Sequence, residues 1–115
     1  MSKIAILGAA ESGVGAAVLA LKKGYDVFVS DMGMIKEHYK NMLNAHGIEW
    51  EEGGHTASKI LDAEEIIKSP GIPDNAPMVA EATDRGIHII NEIEFAARYT
   101  DAKMICITGS NGKTT

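Results

Sequence analysis

Short apolar runs and stripes of helical period take turns along this chain. Lys3 to Leu7 (KIAIL) has the length and branched content of a buried strand and ends at Gly8. From Ser12 to Lys23, Val14, Ala17, Val18 and Leu21 recur at helical spacing, and Gly24 follows as a stop. Asp26 to Ser30 (DVFVS) reads as a second strand closing on Asp31. Ile35, Tyr39, Met42, Leu43 and His46 then share one helix face that Gly47 ends. Ile48 to Glu51 alternates as a third strand, Thr56 to Leu61 makes a short helix, and Glu64 to Lys68 is a fourth strand running into Ser69-Pro70-Gly71. Asn75 is placed to cap a helix from Ala76 to Arg85, with Pro77 in its first turn and Gly86 beyond its end. Ile87 to Ile90 is the fifth strand, Glu92 to Tyr99 a helix, and Lys103 to Thr108 (KMICIT) a sixth strand.

Strands alternating with helices predict an α/β fold, because parallel strands need crossover connections and those crossovers are right-handed. The expectation is a Rossmann-like, doubly wound parallel sheet of about five strands, in the order 3-2-1-4-5. The sixth strand follows a connecting helix and ends in a phosphate-loop signature. Residues 1–91 are therefore read as one domain, and residues 92–115 as a connecting helix and the start of a P-loop domain that the chain truncates.

Composition narrows the partners. Among 115 residues the net charge is -5, which gives no general attraction to nucleic acid or anionic lipid. Cys106 is the only cysteine, so no internal disulfide can form and a reducing, cytoplasmic setting is the natural reading. The N-terminus runs directly into a strand-like segment rather than a signal peptide, and nothing approaches the roughly 18 apolar residues of a membrane span. Expected, then, is a cytoplasmic monomer with no nucleic-acid and no membrane partner.

In an open parallel sheet, ligands bind outside the carboxyl ends of the strands where strand order reverses. Suggestive residues fall at three such ends: Gly8-Ala9-Ala10-Glu11-Ser12-Gly13, Asp31, and Ser69-Pro70-Gly71. The first resembles a dinucleotide fingerprint, but Ala10 holds the second glycine position, where a methyl group works against close approach of a pyrophosphate. Glu11 puts a carboxylate at the helix N-terminus and would have to point away from any phosphate. Asp31, 18 residues after Gly13, is near the distance of an acid that takes ribose hydroxyls. The structural alternatives are a tight strand-to-helix turn, a solvated turn aspartate, and a plain Pro-Gly turn in which Gly71 takes a positive φ. Thr108-Gly109-Ser110-Asn111-Gly112-Lys113-Thr114-Thr115 carries the strongest signal. Its successive N–H groups can cradle phosphate, Lys113 can sit by the β- and γ-phosphates, and Thr114 can offer a hydroxyl to Mg²⁺. The first glycine of the general pattern falls at Ile107, and the helix that would complete the cradle is absent, so these 115 residues are expected to bind ATP poorly. His38, His46, His55 and His88 lack metal-ligand spacing and read as surface or helix-end residues.

Taken together, ILGAAESGVGAA, VSDMG, KSPGIPDNAP, RGIHIINEIEF and ICITGSNGKTT resemble the Mur ligase family, in that family's order and over essentially the whole chain. The Ile107 variant of the P-loop is also the family's. The likeness is greatest to members that add D-glutamate to UDP-N-acetylmuramoyl-L-alanine in peptidoglycan precursor synthesis. That resemblance implies a three-domain enzyme using ATP and Mg²⁺, in which the terminal carboxylate becomes an acyl phosphate that the amine of D-glutamate attacks. It implies that Gly8, Ala10, Glu11, Ser12, Gly13 and Asp31 serve the uridine, and Ser69, Pro70 and Gly71 the diphosphate side. It further implies that Gly109, Ser110, Asn111, Gly112, Lys113, Thr114 and Thr115 belong to ATP, with Lys113 catalytic and Thr114 at the metal. The chain alone would have no ligase activity. Ala10, Glu11, Met32 and Gly33 depart from the family's common residues. A Mur ligase adding another amino acid, an NAD(P)-binding oxidoreductase domain and a non-catalytic nucleotide sensor are the competing readings.

Overall fold

The computed structural model describes residues 2–73 and 75–99. The expected sixth strand, Cys106 and the P-loop residues Gly109 to Thr115 lie outside the described residues. Within them, strands and helices alternate as β1 (Lys3–Leu7), α1 (Glu11–Lys22), β2 (Asp26–Ser30), α2 (Glu37–Ala45), β3 (Glu49–Glu51), α3 (Ala57–Ile60), β4 (Glu65–Lys68), α4 (Pro77–Asp84), β5 (His88–Asn91) and α5 (Glu92–Arg98). The five strands form one sheet in the order β3-β2-β1-β4-β5, every neighbouring pair parallel, as the alternation predicts. In register, Leu7 on central β1 lies beside Ser30 on one side and Lys68 on the other. Strand order reverses between β1 and β4.

Alternation along the strands divides the core into two layers. Ile4, Ile6, Val27, Val29 and Ile67 pack with Val14 and Ala17 of α1, Leu43 of α2 and Phe95 of α5. Ala5, Leu7, Phe28 and Ile66 face the other way, onto Ile60 of α3 and Val79 and Ala82 of α4. Each large side chain fully buried in this way contributes roughly 1.5–3 kcal/mol. The stripe Met78, Val79, Ala82 is thus a packing stripe, as its spacing suggests.

The buried face of α1 is made of small residues, Gly13, Ala16, Ala17 and Ala20, so the helix lies close against β1. Closest of all is Gly13, where a β-carbon would stand 1.9 Å from the carbonyl oxygen of Gly8. Gly8 itself turns the chain out of β1 at φ +103°, a region that suits glycine.

Two helix starts differ from the sequence expectation. Ile35 precedes α2 rather than lying in it; it is buried, and its N–H donates to Glu52 Oε1 at 2.9 Å. Asn75 does not cap α4. Ala76 is the N-cap, extended at ψ 143°, with no side-chain cap bond. The cause is Pro77, which forces the preceding residue out of the helical region and then starts the helix with its own fixed φ. Beyond the end of α1, Lys23 Nζ lies 5.0 Å from the centre of the Tyr99 ring.

Helix α5 is anchored firmly. Asn91 and Glu94 form a capping box, with Glu94 N–H donating to Asn91 Oδ1 at 2.7 Å and Asn91 N–H to Glu94 Oε1 at 3.1 Å. Phe95 is fully buried and meets the rings of Tyr25 and Tyr99 edge-on. Arg98 grips Glu65 of β4 with two parallel bonds of 2.9 and 2.8 Å. Glu92, only 7% exposed, has no hydrogen-bond partner among the described residues, and burial pushes its carboxyl pKa up.

Two predictions follow from these contacts. Gly13→Ala is expected to destabilise the chain by at least about 3 kcal/mol, because backbone must move to admit the methyl group. Gly15→Ala, on the exposed side of α1 with no atom within 4 Å of the new carbon, is expected to stabilise it by roughly 0.5–1 kcal/mol. Urea unfolding of the two variants checks the contrast. Glu92 gives a pH test of opposite sign from an ordinary surface acid. Its raised pKa makes its contribution to stability greatest below the unfolded value and lost as pH rises through the folded one. Glu92→Gln should therefore gain stability on the order of 1 kcal/mol at pH 7.5. Thermal unfolding across pH 4 to 7.5 should show that gain vanishing toward pH 4.

Candidate functional site

At the carboxyl ends of β1, β2 and β4, beside the reversal of strand order, opens a cleft of about 650 Å³. Gly8, Ala9 and Ala10 line it from the loop after β1, Asp31 and Met32 from the loop after β2, and Gly54 and His55 from the loop after β3. Ser69, Gly71, Ile72 and Pro73 follow from the loop after β4, and the wall is completed by Ala76 to Val79 at the start of α4. One end of the cleft is polar, around Asp31 and His55; the α4 side is apolar.

Asp31 organises the polar end. Its Oδ2 accepts the Ala9 N–H at 2.8 Å and its Oδ1 accepts the Gly33 N–H at 2.8 Å. The carboxylate thereby ties the loop after β1 to the loop after β2. In a fingerprint loop that binds pyrophosphate, backbone N–H groups after the first strand point at phosphate oxygens. Here the Ala9 N–H is already taken by a carboxylate, whose charge opposes a phosphate at the same place. Each carboxylate oxygen keeps a second lone pair, so Asp31 can still accept from a ligand hydroxyl.

The loop after β4 is held against the first. A β-carbon on Gly8 would stand 3.0 Å from Ser69 Cβ, the Ser69 N–H donates to Leu7 O at 3.1 Å, and the Ile72 N–H donates to Ser69 O at 3.0 Å. Gly71, at which the plain-turn reading permits a positive φ, does not adopt one. A β-carbon there would meet only Ser69 Oγ, at an ordinary contact distance of 3.9 Å.

Behind the polar end lies a buried hydrogen-bonded group. Ser30, fully buried at the end of β2, has its Oγ 2.7 Å from Glu51 Oε2 and 2.6 Å from His55 Nδ1. Glu51 also accepts the Thr56 N–H at 2.6 Å and the Thr56 hydroxyl. Burial raises the Glu51 pKa, but the bonds from Thr56 and Ser30 outweigh it and hold the carboxyl below the usual range. Burial pushes the His55 imidazole down, against the opposing pull of Glu51 and Asp31. Around neutral pH, Glu51 is ionised and His55 neutral.

The structure brings together Gly8, Ala10, Asp31, Ser69 and Gly71 of the residues singled out from sequence. Glu11 and Ser12 are exposed in the first turn of α1 and are not among the residues that line the cleft. Gly13 is buried in helix–strand packing, and Pro70 is exposed outside the lining. Thr114 and Lys113 lie outside the described residues, among which no group of three or more His, Cys, Asp or Glu is placed to hold a metal. The sequence reading gave His55 no part in the site: it stands at the start of α3, just before the N-cap Thr56, and is half-buried in the cleft. Its signal is Gly53-Gly54-His55 at the carboxyl end of β3, in line with the other three loops.

Known proteins resemble this chain in sequence and in fold. Residues 3–78 match the model of the MurD N-terminal domain family. The chain is 64% identical over 115 residues to UDP-N-acetylmuramoylalanine–D-glutamate ligase of Bacteroides fragilis, covering 100% of this chain and 26% of that protein. It is 63% identical over 112 residues to the ligase of the same name from Porphyromonas gingivalis, covering 97% of this chain and 25% of that protein. In structure it is similar to UDP-N-acetylmuramate–alanine ligase MurC from Thermotoga maritima, with a TM-score of 0.72, 23% identity, and coverage of 85% of this chain and 22% of that one. The last likeness concerns the fold alone. The chain spans about a quarter of the length of the curated relatives it matches. From the family match over its first strands and loops, and from the near-complete alignment with its relatives, the chain belongs to the MurD N-terminal domain family.

Proposed function

We propose that this chain is the uridine-nucleotide-binding part of an ATP-dependent ligase that joins D-glutamate to UDP-N-acetylmuramoyl-L-alanine in peptidoglycan precursor synthesis. The observation that carries this reading is the cleft at the strand-order reversal in a chain of this family. Its polar end offers acceptors for a nucleoside, and its first loop has no free amide at Ala9 for a pyrophosphate. Gly8, Ala10 and Asp31 serve the uridine, with Asp31 accepting a ribose hydroxyl. The loop Ser69 to Gly71 lies on the diphosphate side. Glu11, Ser12 and Gly13, at the turn into α1, complete the ligand-binding loop of this reading.

Residues 1–91 form the nucleotide domain of this reading, and 92–115 lead into the ATP-binding part. There Gly109 to Thr115 would hold ATP, with Lys113 against the phosphates and Thr114 toward Mg²⁺. ATP would supply the phosphoryl group that activates the alanyl carboxylate, a transfer governed by positioning and by cationic charge. D-Glutamate would be taken by parts of the protein beyond this chain. A cytoplasmic setting and a monomeric state complete the reading; among the described residues no helix is long and apolar enough to cross a membrane.

An NAD(P)-binding oxidoreductase domain shares the fold but needs the amide that Asp31 occupies, and Ala10 adds a methyl group in the pyrophosphate's path.

Calorimetric titration of the chain separates the two. UDP-N-acetylmuramoyl-L-alanine should bind saturably and NADH should not, and Asp31→Asn should weaken the uridine ligand about tenfold, the worth of one hydrogen bond to a charged group. Saturable NADH binding with silence toward the uridine ligand would overturn the proposal. In a phosphate-release assay with ATP, Mg²⁺ and both substrates, the 115-residue chain is expected to show no turnover, since it spans about a quarter of its relatives' length. Sustained phosphate release would contradict that.

A further inference from the structure

Helix α5 carries the chain from the cleft's edge of the sheet to the opposite edge. It begins at Asn91, the carboxyl end of β5. It ends where Arg98 grips Glu65, the first residue of β4, and where the Tyr99 hydroxyl lies 2.6 Å from that of Tyr25, one residue before β2. The chain beyond Tyr99 therefore starts from the amino edge.

Between α1 and α5 lies a groove of about 320 Å³, separate from the cleft. Ala16 and Leu19 of α1 and Ile93 and Ala96 of α5 line it, and Ser12 and Glu92 stand at its carboxyl-edge end. Two of these residues are unfinished as they stand. Ile93 leaves 73% of its surface exposed at the rim, and Glu92 is buried with no hydrogen-bond partner among the described residues.

The sequence holds one segment with the character and the reach to cover both. Met104 to Ile107 is apolar at every position, so an extended form carries apolar side chains on both of its faces. Lys103 to Thr108 spans about 20 Å when extended, against about 10 Å for α5. Residues 100–102 are a connection of ordinary length between a helix and a strand.

We propose that Lys103 to Thr108 doubles back along α5 and occupies the α1–α5 groove, covering Ile93 with one apolar face and leaving the other to the ATP-binding part. An extended backbone carries both N–H and C=O groups that need partners, so it can serve the Glu92 carboxyl in either protonation state. This course ends at the carboxyl edge and delivers Gly109 to Thr115 to the same edge as the cleft. The inference follows from the path of the chain and is independent of which nucleotide the cleft takes.

Magnetic resonance of the 115-residue chain, labelled at its isoleucine and leucine methyl groups, tests that course without any ligand. Expected are nuclear Overhauser contacts, within one molecule, from the Ile93 or Leu19 methyls to those of Ile105 or Ile107. The amides of residues 104–107 should exchange at least about tenfold more slowly than in an unstructured peptide, and in Ile93→Ser that protection should shrink to within about twofold. Contacts seen only between differently labelled molecules in a mixed sample would overturn the proposal, with a second copy as the groove's occupant. No contact from Ile93 or Leu19 to residues 103–108, with unprotected amides there, would overturn it as well, while leaving the nucleotide reading standing. Ile93 is exposed, so its replacement spares the described core, and the unsubstituted chain decides the matter even if that variant fails to fold.

Discussion

The Asp31 carboxylate bonded to the N–H groups of Ala9 and Gly33 is the contact on which the site depends. Three loops converge at the carboxyl edge of the sheet, where backbone amides beyond the ladder need acceptors. A single side chain at the end of β2 satisfies two of those amides and joins the loops that bear them. The remaining constraint is steric. Gly13 brings α1 onto the Gly8 carbonyl, and Gly8 in turn admits Ser69. A larger side chain at either glycine would push the loops apart and open the cleft.

That arrangement also sets the chemistry the cleft can accept. The fold is one in which helix N-termini and glycine-rich turns commonly receive phosphate. Here the first turn is occupied by its own carboxylate, so the region nearest β2 and β3 is suited to neutral hydrogen-bonding groups. Buried Ser30 extends this principle one layer inward. It links a carboxylate held ionised to an imidazole held neutral, and so orients His55 without placing a net positive charge in the cleft. The apolar side, from Ile72 to Val79, provides surface rather than polarity.

The parts that were legible in the sequence are those set by local pattern. KIAIL and DVFVS read as strands because every second side chain must enter one of two apolar layers, and the alternation with helices dictates a parallel sheet. The glycine-rich turn and Asp31 were legible as a site because strand ends and their loops can be placed once strand order is assumed. What escaped was non-local. Asn75 has the right chemistry for a cap, but Pro77 constrains Ala76 and moves the helix start past it. Ile35 keeps the helical period, yet its N–H is captured by Glu52, a residue 17 positions away. His55 and Glu92 acquire their character from burial against Ser30 and Gly13, neither of which is a sequence neighbour. Gly13 is legible from its motif position, but its close approach to the Gly8 carbonyl is visible only in the fold.

On the proposed reading, the ligand enters a cleft whose first loop is already closed by Asp31. A crystal structure of the chain with UDP-N-acetylmuramoyl-L-alanine tests this most directly. The account predicts that the Asp31–Ala9 bond survives, with the ribose beside Asp31 and the diphosphate toward Ser69 to Gly71. A diphosphate seated on the Ala9 N–H, with the Asp31 carboxylate displaced, would contradict it.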